Sequence, residues 1–255
     1  MITRRDFIKY SLQGIAAIAI PALTIEILNP SRLFASKEIK KIRWGFLVDT
    51  QKCVGCGFCV SACKLENEVP YDANVSRTWV ERYVITKDGR VLADSPRAGR
   101  DGFTRNDPAG INIKKGDIEK AFFVSKLCNQ CERPPCVQVC PVGATYQVPD
   151  GVVLVDRKWC IACGYCIMAC PYGARFFDPV YKTAEKCNFC YHRITKGMKT
   201  ACVQACPFGA RLSGNISDPN DEVGRIIRTE RVNVLKDEYG TKPQVYYRGM
   251  SKEVR

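Results

Sequence analysis

The feature that most constrains this chain is the distribution of its sixteen cysteines over 255 residues. They fall into four groups of four, and no cysteine is left over. The first group, CVGCGFCVSAC, and the third, CIACGYCIMACP, share the spacing C-x2-C-x2-C-x3-C. The second, CNQCERPPCVQVCP, has two extra residues in its middle gap, and the fourth consists of CNFC and CVQACP separated by eleven residues. In group order the cysteines are Cys53, Cys56, Cys59 and Cys63; Cys128, Cys131, Cys136 and Cys140; Cys160, Cys163, Cys166 and Cys170; and Cys187, Cys190, Cys202 and Cys206.

This spacing has a chemical explanation in iron–sulfur clusters. Three thiolates one turn apart on a tight loop can take three corners of one cubane, and Gly55, Gly57 and Gly164 let the backbone approach it. The fourth cysteine of a motif lies on the following helix and, in two-cluster ferredoxins, ligates the other centre. Four motifs that work in crossed pairs give four complete sets of ligands. The sequence therefore predicts four [4Fe-4S] clusters.

Zinc is the strongest alternative ligand for these cysteines, because paired C-x2-C elements also form ribbon sites. Tetrahedral zinc gives no reason for the third cysteine at the next three-residue step, or for the proline after the fourth. Disulfides are disfavoured because a chain of this length needs no covalent staples to fold. A zinc-stapled binding module with a positive surface remains the alternative from a different functional class.

The formal charge of +13 would by itself suggest an anionic partner. Each oxidised cluster with its thiolates carries about −2, so four of them leave about +5. Much of the basicity then balances the cofactors. No basic stretch is interleaved with aromatic residues in a recognised nucleic-acid module, and no nucleic-acid partner is expected.

The amino terminus has the features of a twin-arginine signal. The segment TRRDFIK is followed by an apolar run from Ile15 to Ile25 that is too short to span a bilayer as a helix. Residues 1–35 are interpreted as this signal, with removal expected near Ala35. Because the twin-arginine route carries folded proteins, the thiols would be occupied by metal before they reach an oxidising compartment. The predicted location is the periplasm, peripheral to the inner membrane.

The segments between the motifs predict an α+β fold. CPVGAT, CPYGAR and CPFGAR form an internal repeat typical of duplicated ferredoxin units. Alternating apolar residues predict strands in WGFLVD, TWVERYVI, GVVLVD and QVYYRG. A helix is predicted from Pro219, with Asp218 as its cap and Val223, Ile226 and Ile227 on one face.

These elements predict two tandem bacterial-ferredoxin-like modules, with a long insertion and a C-terminal helix and strand extension. Residues 36–127 form the first half of the first module, with the insertion at 64–127. Residues 128–177 form the second module, 178–215 complete the first, and 216–255 form the extension. The insertion is interpreted either as a contact for a partner subunit or as a passive surface excursion.

From about residue 43 to residue 250 the chain resembles the four-cluster iron–sulfur subunits of the dimethyl sulfoxide reductase family of molybdopterin enzymes. The four motifs in this order carry the resemblance. KCNFCYHR and VLKDEYGTKPQVYY are similar to segments of the subunits in tetrathionate, polysulfide and thiosulfate reductases. The family's ligand plan implies a first set of Cys53, Cys56, Cys59 and Cys206, a second of Cys63, Cys187, Cys190 and Cys202, a third of Cys128, Cys131, Cys136 and Cys170, and a fourth of Cys140, Cys160, Cys163 and Cys166.

In some relatives a tryptophan replaces the second cysteine of the third motif, and that centre becomes [3Fe-4S]. Cys163 stands there in this chain, so the resemblance implies four [4Fe-4S] clusters. The insertion is longer than in compact family members, which leaves the particular enzyme open.

The resemblance also implies partners. Family members pass electrons between an integral membrane, quinone-interacting anchor subunit and a molybdopterin catalytic subunit, so membrane contact would be through the anchor. The first set would face the catalytic subunit and the fourth set the membrane partner. The alternative is an exported polyferredoxin subunit of a hydrogenase or of a membrane redox complex in sulfur metabolism.

Two further residues invite a functional interpretation. His192 is the only histidine, and because four complete cysteine sets leave no ligand position vacant, we predict a structural or cluster-tuning hydrogen bond. Trp159, beside Cys160, is predicted to pack rather than to relay electrons. No Ser-His-Asp set and no G-x4-G-K-[ST] loop is present, so no active site is expected on this chain.

Overall fold

The computed structural model describes residues 42–103 and 110–254. The predicted twin-arginine signal and its apolar run lie outside the described residues. Within those two ranges, no helix has the length and apolar character needed to cross a membrane.

The helices of the described ranges are short and follow the cysteine loops. The longest, α1, begins after Gly57, whose φ of 78° lies in the left-handed region that a residue with a side chain rarely adopts. The α-helices are α1 (Phe58–Glu66), α2 (Pro135–Gln138), α3 (Tyr165–Met168), α4 (Tyr191–Ile194), α5 (Ala201–Gln204) and α6 (Glu222–Thr229). Single 3-10 turns occupy Pro96–Gly99, Lys115–Asp117 and Asp237–Tyr239.

The strands form four separate sheets. The strands are β1 (Trp44–Asp49), β2 (Thr78–Thr86), β3 (Val91–Asp94), β4 (Ile118–Leu127), β5 (Thr145–Gln147), β6 (Val153–Val155), β7 (Arg175–Phe177), β8 (Ala184–Lys186), β9 (Arg211–Asn215), β10 (Val232–Asn233) and β11 (Val245–Arg248). The four predicted strand segments correspond to β1, β2, β6 and β11, so each prediction of a strand is confirmed.

The largest sheet brings the two ends of the described chain together. Its order is β10-β11-β1-β9, with β1 parallel to β11 and antiparallel to β9. Phe46 of β1 lies opposite Val245 on one side and Ser213 on the other. Phe46 and Val48 are completely buried, which places the centre of the core on β1.

Helix α6 packs on this sheet, but the predicted cap is wrong. The cap is Asp221, whose carboxylate accepts hydrogen bonds from the backbone N–H groups of Val223 (2.9 Å) and Gly224 (3.1 Å). Asp218 instead accepts from the N–H of Asn220 (2.9 Å) in a turn, so the helix begins three residues later than predicted. Val223, Ile226 and Ile227, which were predicted to share one face of the helix, pack in one cluster with Leu47 of β1.

The predicted insertion contains an antiparallel sheet of order β3-β2-β4. Asp94 of β3 connects β2 to the segment before β4. Its carboxylate accepts hydrogen bonds from Arg82 Nε of β2 (2.9 Å) and from the backbone N–H of Ile111 (2.7 Å). The segment that follows β3 packs on the first cysteine loop. Ser61 Oγ donates to the Arg100 carbonyl at 3.1 Å.

Two antiparallel hairpins, β5-β6 and β7-β8, complete the fold. Strands β5, β7 and β9 each begin on the last residue of a repeat, which is Thr145, Arg175 or Arg211. The repeat is therefore a structural unit in which a cysteine loop turns directly into a strand.

Candidate metal centres

Three small cavities are each lined by four cysteines. The cysteines that line them are Cys53, Cys56, Cys59 and Cys206; Cys128, Cys131, Cys136 and Cys170; and Cys140, Cys160, Cys163 and Cys166. These groups coincide with the first, third and fourth sets that the resemblance implies.

The remaining four cysteines, Cys63, Cys187, Cys190 and Cys202, are all buried. Burial raises the pKa of the Cys63 thiol well above its usual value, and the other three thiols nearby raise it further. The Asn67 side-chain amide lies between two of them, with Nδ2 at 3.5 Å from Cys63 Sγ and 3.9 Å from Cys190 Sγ. The structure therefore brings these four together as a second set.

The arrangement of the thiols fits a multi-iron cluster. Four thiols surround each of the three cavities, and cysteine thiolates are the ligands of [4Fe-4S] clusters.

Burial of the thiols makes their ionisation unfavourable, so a group bound by thiolates must supply positive charge. Burial raises the pKa of Cys59 to about 11, and those of Cys131 and Cys187 to about 12. Thiolates at these positions therefore need positive charge beside them. Cys140 differs, because backbone N–H groups, among them that of Thr145 at 3.4 Å, outweigh the effect of burial and lower its pKa.

Comparison with known proteins agrees with this chemistry. Matches to the 4Fe-4S dicluster domain cover residues 52–144 and 119–216. The chain is 38% identical over 210 residues to a tetrathionate reductase subunit of Salmonella typhimurium, an alignment that covers 82% of this chain and 73% of the relative. It is 34% identical over 275 residues to a selenate reductase subunit of Mesobacillus selenatarsenatis, covering 95% of this chain and 84% of that one.

The chain belongs to the iron–sulfur subunits of the molybdopterin oxidoreductase family. Two tandem dicluster domains with sixteen cysteines carry four [4Fe-4S] clusters, and the chain is an electron-transfer subunit, as the sequence predicted. A further relative is the Hdr-like menaquinol oxidoreductase iron–sulfur subunit 1 of Archaeoglobus fulgidus. It is 35% identical over 295 residues, covering 99% of this chain and 100% of the relative.

The four sets of this iron–sulfur subunit follow one another in order. Burial raises the pKa of Cys59 in the first set, and Cys202 of the second set adds to that shift. Burial likewise raises the pKa of Cys187 in the second set, with a contribution from Cys128 of the third. Burial also raises the pKa of Cys166 in the fourth set, with a contribution in the same direction from Cys136 of the third. These electrostatic interactions link the first set to the second, the second to the third and the third to the fourth.

Sequence reasoning missed two buried arginines, Arg175 and Arg211, that lie among the thiols. The signal was present in the repeats CPYGAR and CPFGAR, which both end on arginine, whereas CPVGAT ends on Thr145. An ionised residue at a repeated position next to a cluster loop is unusual, because buried charges require partners.

His192 has the structural hydrogen bond that was one of its two predicted roles. Its Nε2 lies 2.6 Å from Glu66 Oε1, and Arg193 Nη1 lies 2.8 Å from the other carboxylate oxygen. The hydrogen bond with His192 lowers the pKa of Glu66, and Arg193 contributes in the same direction. The His192–Glu66 pair joins α1 to α4. Helix α1 carries Cys63 of the second set, and α4 begins directly after Cys190 of the same set.

The prediction that Trp159 packs is wrong, because its side chain is 68% exposed. Its neighbours Ile161, Tyr165 and Met168 are exposed as well. The local sequence places the tryptophan next to a cysteine loop, but it does not say which side of that loop the rest of the chain covers.

Proposed function

We propose that the four cysteine sets are the cluster ligands and that this subunit relays electrons between a molybdopterin catalytic subunit and an integral membrane, quinone-interacting subunit. The observation that carries the proposal is the order of the sets, in which a thiol of one set acts electrostatically on a thiol of the next. Membrane contact is made through the partner.

The clusters, when bound, accept and release electrons one at a time. The protein's part is to hold the ligands at fixed positions, to exclude water and to donate hydrogen bonds to sulfur. The second set shows all three, since its cysteines are buried and Asn67 donates to two of its sulfur atoms. Such burial and hydrogen bonding set cluster potentials.

Both ends of the series carry exposed apolar side chains, which is typical of protein interfaces. Met168, beside the fourth set, is 75% exposed. The exposed residues next to the fourth set are Trp159, Ile161, Tyr165 and Met168, and those next to the first set are Val54, Phe58 and Phe208. We assign the first-set end to the catalytic subunit and the fourth-set end to the membrane partner, as the resemblance implies.

We also propose the periplasm as the location, with export in the folded state. The support is the segment TRRDFIK ahead of an apolar run. Replacement of Arg4 and Arg5 by lysine is expected to retain the protein in the cytoplasm with its clusters assembled. Periplasmic protein in that variant would contradict the route.

The central test uses the intact complex, purified anaerobically after membrane solubilisation. We expect a brown subunit with about sixteen irons, because each cluster contributes four. Substituting Ile161 and Met168 by glutamate should release the membrane partner, whereas the same change at Val54 and Phe58 should release the molybdenum-containing subunit. A colourless zinc protein would overturn the proposal, as would the loss of one and the same partner in both variants.

Leu65→Glu is the matched control. Leu65 is 74% exposed on α1, next to the second set, which is internal to the series. This variant should keep both partners. Its failure to do so would show that any added charge disrupts the complex.

A second candidate function has a specific observation in its favour. The relative named as a menaquinol oxidoreductase subunit is matched over nearly the whole of both chains. Metal analysis of the purified complex discriminates the two functions, because molybdenum accompanies a molybdopterin partner. A complex that contains iron and no molybdenum would support the alternative.

A further inference from the structure

Arg211 and Arg175 occupy the same position in two copies of the repeat. CPFGAR and CPYGAR end on them, and they are the first residues of β9 and β7. Arg211 is 2% exposed and Arg175 is 4% exposed. A guanidinium carries its charge at every relevant pH, so each position places a permanent cation inside the protein.

Each arginine lines the cavity of one cysteine set and acts electrostatically on a thiol of a second set. Arg211 lines the cavity of the first set, and Arg175 lines that of the third. Burial would lower the pKa of Arg211, but Cys202 of the second set and Cys59 of the first outweigh it and raise the pKa.

Arg175 has the corresponding position in the second module. Burial raises the pKa of Cys136 in the third set and of Cys166 in the fourth. Arg175 opposes the increase at both thiols. One cation therefore serves the first and second sets, and the other serves the third and fourth.

The two arginines are anchored in the same way. Arg211 Nη2 donates to Thr78 Oγ1 at 3.0 Å, and Arg175 Nη2 donates to Thr145 Oγ1 at 3.0 Å. The two threonines also correspond, since Thr78 is the first residue of β2 and Thr145 the first residue of β5. Each pair thus joins one strand start to another across a module.

The remaining donors of the two guanidinium groups have no oxygen acceptor within hydrogen-bond distance among the described residues: Nε and Nη1 of Arg211 are buried, and so are the same two atoms of Arg175. The acidic neighbours of these groups are instead thiols, since Arg211 interacts with Cys59 and Arg175 with Cys136. Unsatisfied buried donors are costly, and those of an ionised group especially so. Donors of this kind beside sets of thiolate ligands fit an anionic group bound between them.

We propose that Arg211 and Arg175 are redox-positioning residues, each of which holds one fixed positive charge between two iron–sulfur centres and raises the potentials of both. The inference rests on the ligand sets of the proposed function. Reduction adds one electron to a centre, taken from its neighbour in the series, and so increases negative charge beside the arginine. A cation shared by two centres stabilises the reduced form of either.

The test is an anaerobic redox titration of the full complex, followed by electron paramagnetic resonance. Arg211→Gln should lower the reduction equilibrium constants of two of the four centres at least tenfold, about 59 mV for a one-electron couple. Arg175→Gln should lower those of the other two. Because guanidinium does not titrate, both shifts should be the same at pH 6.5 and pH 8.

Lysine variants keep the experiment decisive where a glutamine variant fails to assemble. Arg211→Lys and Arg175→Lys retain the charge on a differently shaped group. We expect smaller downward shifts confined to the same two centres. Arg225→Gln, which removes an exposed arginine on α6, is the control and should shift none.

Three results would overturn the inference: potentials that do not move, shifts spread over all four centres, and shifts of the same two centres by both arginine variants. In each case the complex would still hold about sixteen irons, and the relay would stand. A wild-type complex that lacks those irons would instead overturn the proposed function.

Discussion

The half of the molecule that holds the first and second cysteine sets is covered by two sheets, whereas the half that holds the third and fourth sets carries two-stranded hairpins. We call them the covered half and the open half. Cys63 and Cys190 in the covered half are buried, while Cys163 in the open half is exposed. Both halves nevertheless contain the same cysteine loops and the same arginine–threonine pair. The repeat therefore determines the chemistry of the centres, and the chain around it determines how accessible they are.

Cysteine substitutions should give the largest difference between the halves. Cys163→Ser is expected to remove one cluster, so that iron falls from about sixteen to about twelve per chain, because the fourth set lies at the end of the series. Cys63→Ser removes a proposed ligand from the buried second set, whose thiols interact electrostatically with those of the first and the third. We expect it to reduce iron well below twelve and to lower soluble yield. Equal iron loss in the two variants would refute the distinction between the halves.

Glycine substitutions at matching positions should sharpen the comparison. Gly57 and Gly164 precede the third cysteine of their motifs, with φ of 78° and 79°. A Cβ at Gly57 would overlap the carbonyl oxygens of Gly99 and Arg100, whereas one at Gly164 would lie 3.2 Å from the Phe177 ring. We expect Gly57→Ala to cost about 3 kcal/mol and Gly164→Ala about 1 kcal/mol of unfolding free energy.

Urea titration under anaerobic conditions, followed by cluster absorbance, measures both glycine variants. The strain of the left-handed backbone is common to the two positions. The difference between the two losses of unfolding free energy therefore measures the contact of Gly57 with the Gly99 and Arg100 backbone. Equal losses of unfolding free energy would show that the Gly99–Arg100 segment can move away from an added side chain at little energetic cost.

The insertion sheet should have an effect smaller than that of Gly57→Ala. Asp94→Ala removes the acceptor that joins Arg82 and the Ile111 backbone, and we expect a loss of about 2 kcal/mol together with faster bleaching of cluster absorbance in air. Asp88→Ala, which removes an exposed carboxylate paired with Arg90, is the control and should change neither. Faster bleaching in the control, or none in Asp94→Ala, would contradict a protective role for this sheet.

Local sequence patterns predicted the strands but not their partners. WGFLVD and QVYYRG alternate apolar and polar residues, and both form strands, yet nothing in either segment says that β1 pairs with β11. Pairing over such a separation depends on the packing of the whole sheet. The cap of α6 shows the opposite limit, because Asp218 and Asp221 are both suitable caps and tertiary contacts select the second.

The candidate site was predictable to the extent that it depends on spacing. The motifs identified the sixteen thiols and the number of clusters, since each motif is a local loop. The repeats CPYGAR and CPFGAR show that two arginines share a position, but the burial of these arginines among the thiols is a property of the fold. Trp159 was misjudged for the same reason. Whether a residue beside a cysteine loop is buried or exposed depends on segments that lie far away in the chain.

The parallel pairing of β1 with β11 has a consequence for biosynthesis. Phe46 emerges from the ribosome long before Val245, its partner in the sheet, exists. The hairpins β5-β6 and β7-β8 pair residues that are synthesised close together in time. During translation the middle of the chain can therefore close first, and β1, the first strand of the described residues, is among the last to be enclosed.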